Sequence, residues 1–248
     1  MEGGAVSAGG PVLDVRDVHK SYRRRPVLRG TLEVRPGQLV GVVGENGAGK
    51  STLSRVPRGE ARWAWLLSDG GEPRNWMLVL APLLGWRADS WAGLGWGAFA
   101  ALFTAVGPTL VLHFGESRRY WGDRRMRRRQ DRLMAAPGVM ACVLTATALL
   151  YAGGAPAEVT ALVTAMASVL LALLAVTFFW KVSVHSAVAS GALAILVTAF
   201  GPWALAPAPV IMLIGWSRVR LRCHTTGQVL AGTLIGAAVG APLYTLLG

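Results

Sequence analysis

The sequence predicts a mainly α-helical, polytopic transmembrane bundle of six to seven segments, preceded by a short, incomplete α/β fragment that carries a phosphate-binding loop motif. Three observations carry this prediction. Of 248 residues, 53% are hydrophobic and 15% charged, and the mean hydropathy is +0.44, too apolar for a wholly soluble domain of this size. From Trp76 onward, long uncharged runs alternate with arginine clusters, as they do in multi-pass membrane proteins. Near the N-terminus a GxxxxGKS motif follows an apolar, strand-like run.

The first unit is expected over residues 1–56. LDVRDV (13–18) and TLEVR (31–35) have the composition of strands, and the apolar run QLVGVVG (38–44) leads directly into the loop. In such a loop Gly44, Gly47 and Gly49 let backbone N–H groups close on a phosphate. Lys50 would reach the outer phosphate oxygens, and Ser51, followed by Thr52, would supply the hydroxyl for magnesium. Residues 13–56, from LDVRDVHKSY to VRPGQLVGVVGENGAGKSTL, closely resemble the opening of an ABC transporter ATPase. That resemblance implies ATP and magnesium as ligands, with Tyr22 stacked on adenine. It also implies a glutamine loop, an LSGGQ signature, a Walker B aspartate with a catalytic glutamate, and a switch histidine, and none of these follows in order. LSDGG at 67–71 echoes the signature only faintly and stands too early. The fragment therefore reads as a truncated ATPase start, with too few elements to bury a core of its own.

Residues 57–75 are mixed and turn-rich and read as a linker; residues 76–248 read as the transmembrane domain. About 20 apolar residues are needed for each crossing. Segments 91–114, 133–153, 159–180 and 229–247 each fit one, and the uncharged run between Lys181 and Arg218 fits two short crossings turned near Gly201 and Pro202. Trp76–Trp86 rises only about 16 Å as a straight helix, so it is either extended by its flanks or re-entrant. Tryptophans 86, 91, 121, 180 and 216 stand at segment ends as interfacial anchors.

Charge is distributed unevenly. The formal net charge is +12, and residues 159–248 hold no Asp or Glu. The basic residues sit between uncharged runs rather than on a soluble face, which argues against nucleic acid as a partner. Cys142 and Cys223 have neither disulfide-framework nor zinc spacing, no metal-ligand cluster is visible, and the N-terminus lacks the pattern of a secretory signal peptide.

Polar side chains of the membrane part fall in three clusters, at 116–132, 181–185 and 217–228. An even number of crossings separates successive clusters, so all three are expected at one membrane surface. Arginines with histidines there suit a phosphate or diphosphate. A plainer reading is that the arginines fix topology and bind anionic headgroups. Eight arginines against three acids in 116–132 put that face on the cytoplasmic side of the cell membrane.

The three clusters resemble the motifs of the type 2 phosphatidic acid phosphatase superfamily, Lys-x6-Arg-Pro, Pro-Ser-Gly-His and Ser-Arg-x5-His-x3-Asp. Arg125 and Arg132, with Leu133 for the proline, fit the first; Val182-Ser183-Val184-His185 fits the second; Ser217-Arg218 and His224 fit the third. The resemblance covers residues 72–248. It implies that His224 attacks phosphorus and His185 protonates the leaving oxygen. Arg125, Arg132 and Arg218 would hold phosphoryl oxygens, Ser183 would add a hydrogen bond, and no metal is required. Gln228 stands where the family has an aspartate, which leaves Asp123 or Asp131 to supply the missing carboxylate. The expected function is hydrolysis of a membrane lipid phosphate, such as phosphatidate or a prenyl diphosphate, slow or lost because of Gln228. The alternatives are a truncated ATP-binding component of an ABC transporter and a non-catalytic lipid-phosphate binder. The sequence identifies no protein partner.

Overall fold

The computed structural model describes residues 13–22, 25–34, 59–118, 120 and 129–248. The chain divides into two units between Arg58 and Gly59.

In the first unit, β1 (Leu13–Tyr22) and β2 (Arg25–Val34) pair antiparallel, in a register that sets Leu13 opposite Val34 and Val15 opposite Leu32. The pairing shifts between Val15 and Val18 and again at Ser21, where one strand carries extra backbone and the ladder is interrupted. β1 begins at the expected position, whereas β2 starts at Arg25, six residues before the strand expected from TLEVR. The expected third strand and the phosphate loop, with Gly44, Gly47, Gly49, Lys50, Ser51 and Thr52, lie outside the described residues.

The second unit is helical. The stretch read from sequence as a linker contains α1 (Gly59–Gly70), which buries Ala64 and Ser68 on one side. Next comes α2 (Pro73–Ala101), opened by a proline whose fixed φ and missing N–H suit a first turn. The helix is broken at Asp89 and Ser90, where φ reaches 40° at Ser90. Beyond the break the chain doubles back, because Gly85 lies against the backbone of Gly93 and Gly97 against that of Ala81. Only hydrogen fits between these backbones. The short Trp76–Trp86 run is thus extended by both flanks into one arm of a hairpin over 73–88. The other arm continues through a π-helical turn, Leu102–Val106, into α3 (Gly107–Ser117). Trp86 and Trp91 meet edge-to-face across the turn, with ring centroids 4.9 Å apart.

Helices α4 (Arg129–Gly153) and α5 (Ala157–Thr177) follow, then α6 (Val184–Phe200), a 3-10 turn (Pro202–Leu205), α7 (Ala208–Arg220) and α8 (Thr226–Leu247). The turn near Gly201 is where the uncharged run predicts it, with Gly201 at φ 91°, a conformation glycine adopts without a Cβ penalty. Among the described residues, four helical stretches are long and apolar enough to cross a membrane: Pro73–Ser117, Gln130–Gly153, Ala157–Thr177 and Thr226–Leu247. The first of these contains the hairpin. Helix α6, with 17 residues, is shorter.

Helices α5, α6 and α8 form the centre. Val159, Leu162, Val163 and Met166 of α5 join Val188, Ala192 and Ile195 of α6 and Tyr244 of α8 in the main core. Helix α8 turns Gly232, Gly236 and Gly240 to α6, and a Cβ at Gly236 would collide with the carbonyl of Ala187. Where lipid surrounds the bundle, such close backbone approach and its dispersion contacts drive association. Ser190 Oγ also donates to the carbonyl of Thr233 across the crossing, at 2.9 Å.

Candidate functional site

The close crossing of α6 and α8 brings their N-termini side by side. Ser183, the N-cap of α6, donates its backbone N–H to the carbonyl of Gln228 in the first turn of α8, at 3.2 Å. The last turn of α7 completes the corner. The N–H groups of Cys223 and His224 both bond back to the carbonyl of Arg218, and Arg222 takes a left-handed φ of 52° as the chain reverses. Helix α8 then starts with a capping box: Thr225 Oγ1 accepts from Gln228 N–H and Gln228 Oε1 accepts from Thr225 N–H, both at 3.3 Å.

His224 is buried in this corner and held from both sides. Its Nδ1 lies 3.1 Å from Gln228 Oε1, and its Nε2 lies 3.2 Å from Arg132 Nη2 in the first turn of α4. An amide oxygen accepts and a guanidinium only donates, so Nδ1 carries the proton and Nε2 presents a lone pair. Both contacts demand the same tautomer. Burial lowers the His224 pKa to about 3, helped by the nearby charges of Arg132, Lys181 and Arg218; the bond to Gln228 opposes the shift weakly. The imidazole is neutral at pH 7.

Three cations surround it. Arg132 Nη1 donates to the carbonyl of Val182 at 2.7 Å, and Lys181 Nζ donates to the carbonyl of Cys223 at 2.8 Å. Arg218, only 4% exposed, donates through Nη1 to Ser68 Oγ of α1 at 2.5 Å. Each of these three bonds ends on a neutral oxygen and fixes the direction of its cation. The three clusters read from the sequence therefore do converge.

Several expected roles are changed by the geometry. Ser183 is fully buried, and its hydroxyl accepts from Ser186 Oγ at 2.9 Å and from Ser186 N–H at 3.4 Å as the cap of α6, so it is committed to the helix rather than to a phosphoryl oxygen. Asp131 stands in the first turn of α4 next to Arg132, but the Nδ1–H of His224 is taken by Gln228 rather than by a carboxylate. His185 lies half-buried in the first turn of α6, two residues beyond the cap. Arg125 and Asp123 lie outside the described residues, and so does the side chain of Tyr22 at the end of β1. Among the described residues no group of three or more His, Cys, Asp or Glu could hold a metal ion.

Two site residues were not given roles by the sequence. Lys181 is the single cation of its cluster, and its position just before the Ser-x-His segment was the available signal. Ser68 gave none, since it approaches Arg218 from 150 residues away.

Comparison with known proteins bears on the first unit and the start of the second. Residues 29–64 match the family model of the ABC transporter. The aliphatic sulfonates import ATP-binding protein of Burkholderia lata is 37% identical over 91 residues, 33% of each chain. The xylose/arabinose import ATP-binding protein of Sulfolobus acidocaldarius is 45% identical over 49 residues, 19% of this chain and 20% of that one. The hemin import ATP-binding protein of Thermobifida fusca is 46% identical over 56 residues, 22% and 20% of the two chains. The chain spans a third or less of the length of these relatives. They support the ATP-binding resemblance and carry nothing of the phosphatase resemblance. No solved structure matches.

Proposed function

We propose that the helical unit binds a phosphate ester carried by a membrane lipid and hydrolyses it through His224. One observation carries the reading: a buried imidazole held by Gln228 with its Nε2 lone pair toward Arg132, with Lys181 and Arg218 close by. A phosphate is a ligand such a group suits, because it accepts several charge-assisted bonds at once. Arg132 would turn from Nε2 to a phosphoryl oxygen, which frees the lone pair.

The chemistry then runs in two displacements. His224 Nε2 attacks phosphorus, the bond from phosphorus to the lipid oxygen breaks, and His185 gives that oxygen a proton. Water next attacks the phosphohistidine, loses a proton to His185, and releases inorganic phosphate with neutral His224. Gln228 accepts the Nδ1–H throughout but brings no charge to the imidazolium-like transition state, so turnover is slow. The face of the membrane that carries the site is read as cytoplasmic from the arginine bias alone.

A second reading has the comparisons on its side: an ATP-binding component of an ABC transporter, present as the beginning of its nucleotide-binding domain. The match over residues 29–64 and the import ATP-binding relatives favour this reading over the phosphatase one. Lys50 and Ser51 would then hold phosphate and magnesium. Phosphate release from phosphatidate micelles and from MgATP, measured on the full chain and on His224→Ala and Lys50→Ala, separates the two. Lipid-phosphate turnover lost with His224 supports the first. ATPase activity lost with Lys50, with no lipid-phosphate turnover, replaces it with the second.

A further inference from the structure

We infer that Lys181 is a positioning residue for His224, pinning the peptide that carries the histidine and so turning its imidazole to one orientation; the effect on turnover rests on the reading of the helical unit as a phosphate-ester site. Lys181 Nζ donates to the carbonyl of Cys223 at 2.8 Å. The N–H of the same peptide unit, which belongs to His224, donates to the carbonyl of Arg218 at 3.2 Å. The Cys223–His224 peptide is thus held at both of its polar ends. Because its donor is an ammonium, the bond from Lys181 is charge-assisted and stronger than a bond between neutral groups.

The backbone needs a hold at this point. Arg222 has a left-handed φ of 52°, uncommon for a residue with a side chain, and Thr225 begins the cap of α8, so His224 lies between a strained residue and a helix start. Three successive residues of the link between α5 and α6 each grip a different part of its surroundings. Lys181 bonds to the peptide of His224 itself. The carbonyl of Val182 accepts from Arg132 Nη1 at 2.7 Å, while Nη2 of the same guanidinium meets His224 Nε2. The N–H of Ser183 donates to the carbonyl of Gln228 at 3.2 Å, and the side chain of Gln228 meets His224 Nδ1. Lys181 is the member of this series that acts through a long side chain, so it can be altered without touching the backbone bonds of the other two. After burial and the charge of Arg132, the Lys181 ammonium is also the next influence that keeps the ring neutral.

The test uses the full chain in detergent. Nitrogen NMR of isotope-labelled histidine reads the tautomer and protonation of His224, identified by the signals lost in His224→Asn, and phosphate release from phosphatidate micelles reads turnover. The unaltered chain is expected to show a single neutral form with the proton on Nδ1 at pH 7. Lys181→Met keeps the side-chain length without the donor: both neutral tautomers should appear, the ring should protonate at a higher pH, and kcat should fall about tenfold with KM within about threefold. Lys181→Arg, which keeps donor and charge, should restore the single tautomer and most of the turnover. If Lys181→Met does not fold, Lys181→Gln, whose donor falls one bond short of the Cys223 carbonyl, takes its place. A single Nδ1–H form in Lys181→Met overturns the inference, and so do mixed tautomers in Lys181→Arg, which would show a site sensitive to any change of side chain. Mixed tautomers in Lys181→Met, restored in Lys181→Arg, uphold the positioning role even in a chain that hydrolyses no phosphate ester, an outcome that overturns the reading of the site instead.

Discussion

The two ends of α5 carry charge in opposite ways. At its start, Arg87 and Glu158 form an ion pair at 2.6 Å, and the same guanidinium lies 5.6 Å from the centre of the Phe200 ring. Beyond its other end, Arg132, Lys181 and Arg218 surround a neutral histidine. One cluster is balanced by its own members and ties three helices together. In the other, bonds to neutral oxygens aim cations around a buried imidazole. The ion pair reads as structure, and cations converging on a neutral imidazole read as a candidate site for an anion.

Four outcomes would break or sharpen this contrast. The largest concerns His224: in a phosphate-release assay His224→Ala should cost about a thousandfold in turnover, as loss of a covalent nucleophile does, while Arg87→Ala leaves turnover within about twofold. Equal losses at the two ends would erase the distinction. Next, Gln228→Asp should raise turnover about tenfold or more, since a carboxylate on Nδ1 stabilises the imidazolium that the amide cannot. The same change should lift the His224 pKa, which a shift of the acid limb of the pH–rate profile would report.

The third is a pH effect on stability. His224 titrates at about 3 in the folded chain and near 6.5 when unfolded, so the unfolded state binds the extra proton between these values. Its contribution is fully present above about pH 6.5 and is lost as pH falls toward 3. Thermal unfolding across that window should show the loss, and His224→Asn should flatten it. Added phosphate should also flatten it by supporting the protonated ring. Smallest is Glu158→Gln, expected to cost about 1 kcal/mol or less in unfolding, because both partners of the pair reach solvent at the protein surface, and to leave phosphate affinity unchanged.

Much of this was legible in the sequence. Helices α4, α5 and α8 follow uncharged runs of spanning length, and the turn at Gly201 follows from a glycine and a proline in the middle of a longer run. Arg132, Arg218, His224 and Gln228 were singled out by the resemblance of their clusters to the phosphatidic acid phosphatase motifs. The sequence could not show that 57–75 includes a packed helix, since GEARWAWLLSDG has no strong one-sided pattern and its buried positions are small residues. Nor could it show that Ser183 is spent on a cap: a serine before an apolar helix and a serine facing a ligand are written the same way.

What the sequence determined by itself is what acts over a few residues or by composition: strand-like alternation near the N-terminus, uncharged runs of spanning length, and a final third whose cations have no acid nearby in the chain. The tertiary structure decided which of those cations meet. The bond from Arg132 to His224 spans 92 residues and that from Arg218 to Ser68 spans 150, and both exist because glycines let α8 lie against α6 and α1 lie against α7. Local propensity has no range at such separations. Only packing, which rewards close backbone approach wherever a side chain is missing, can bring them together.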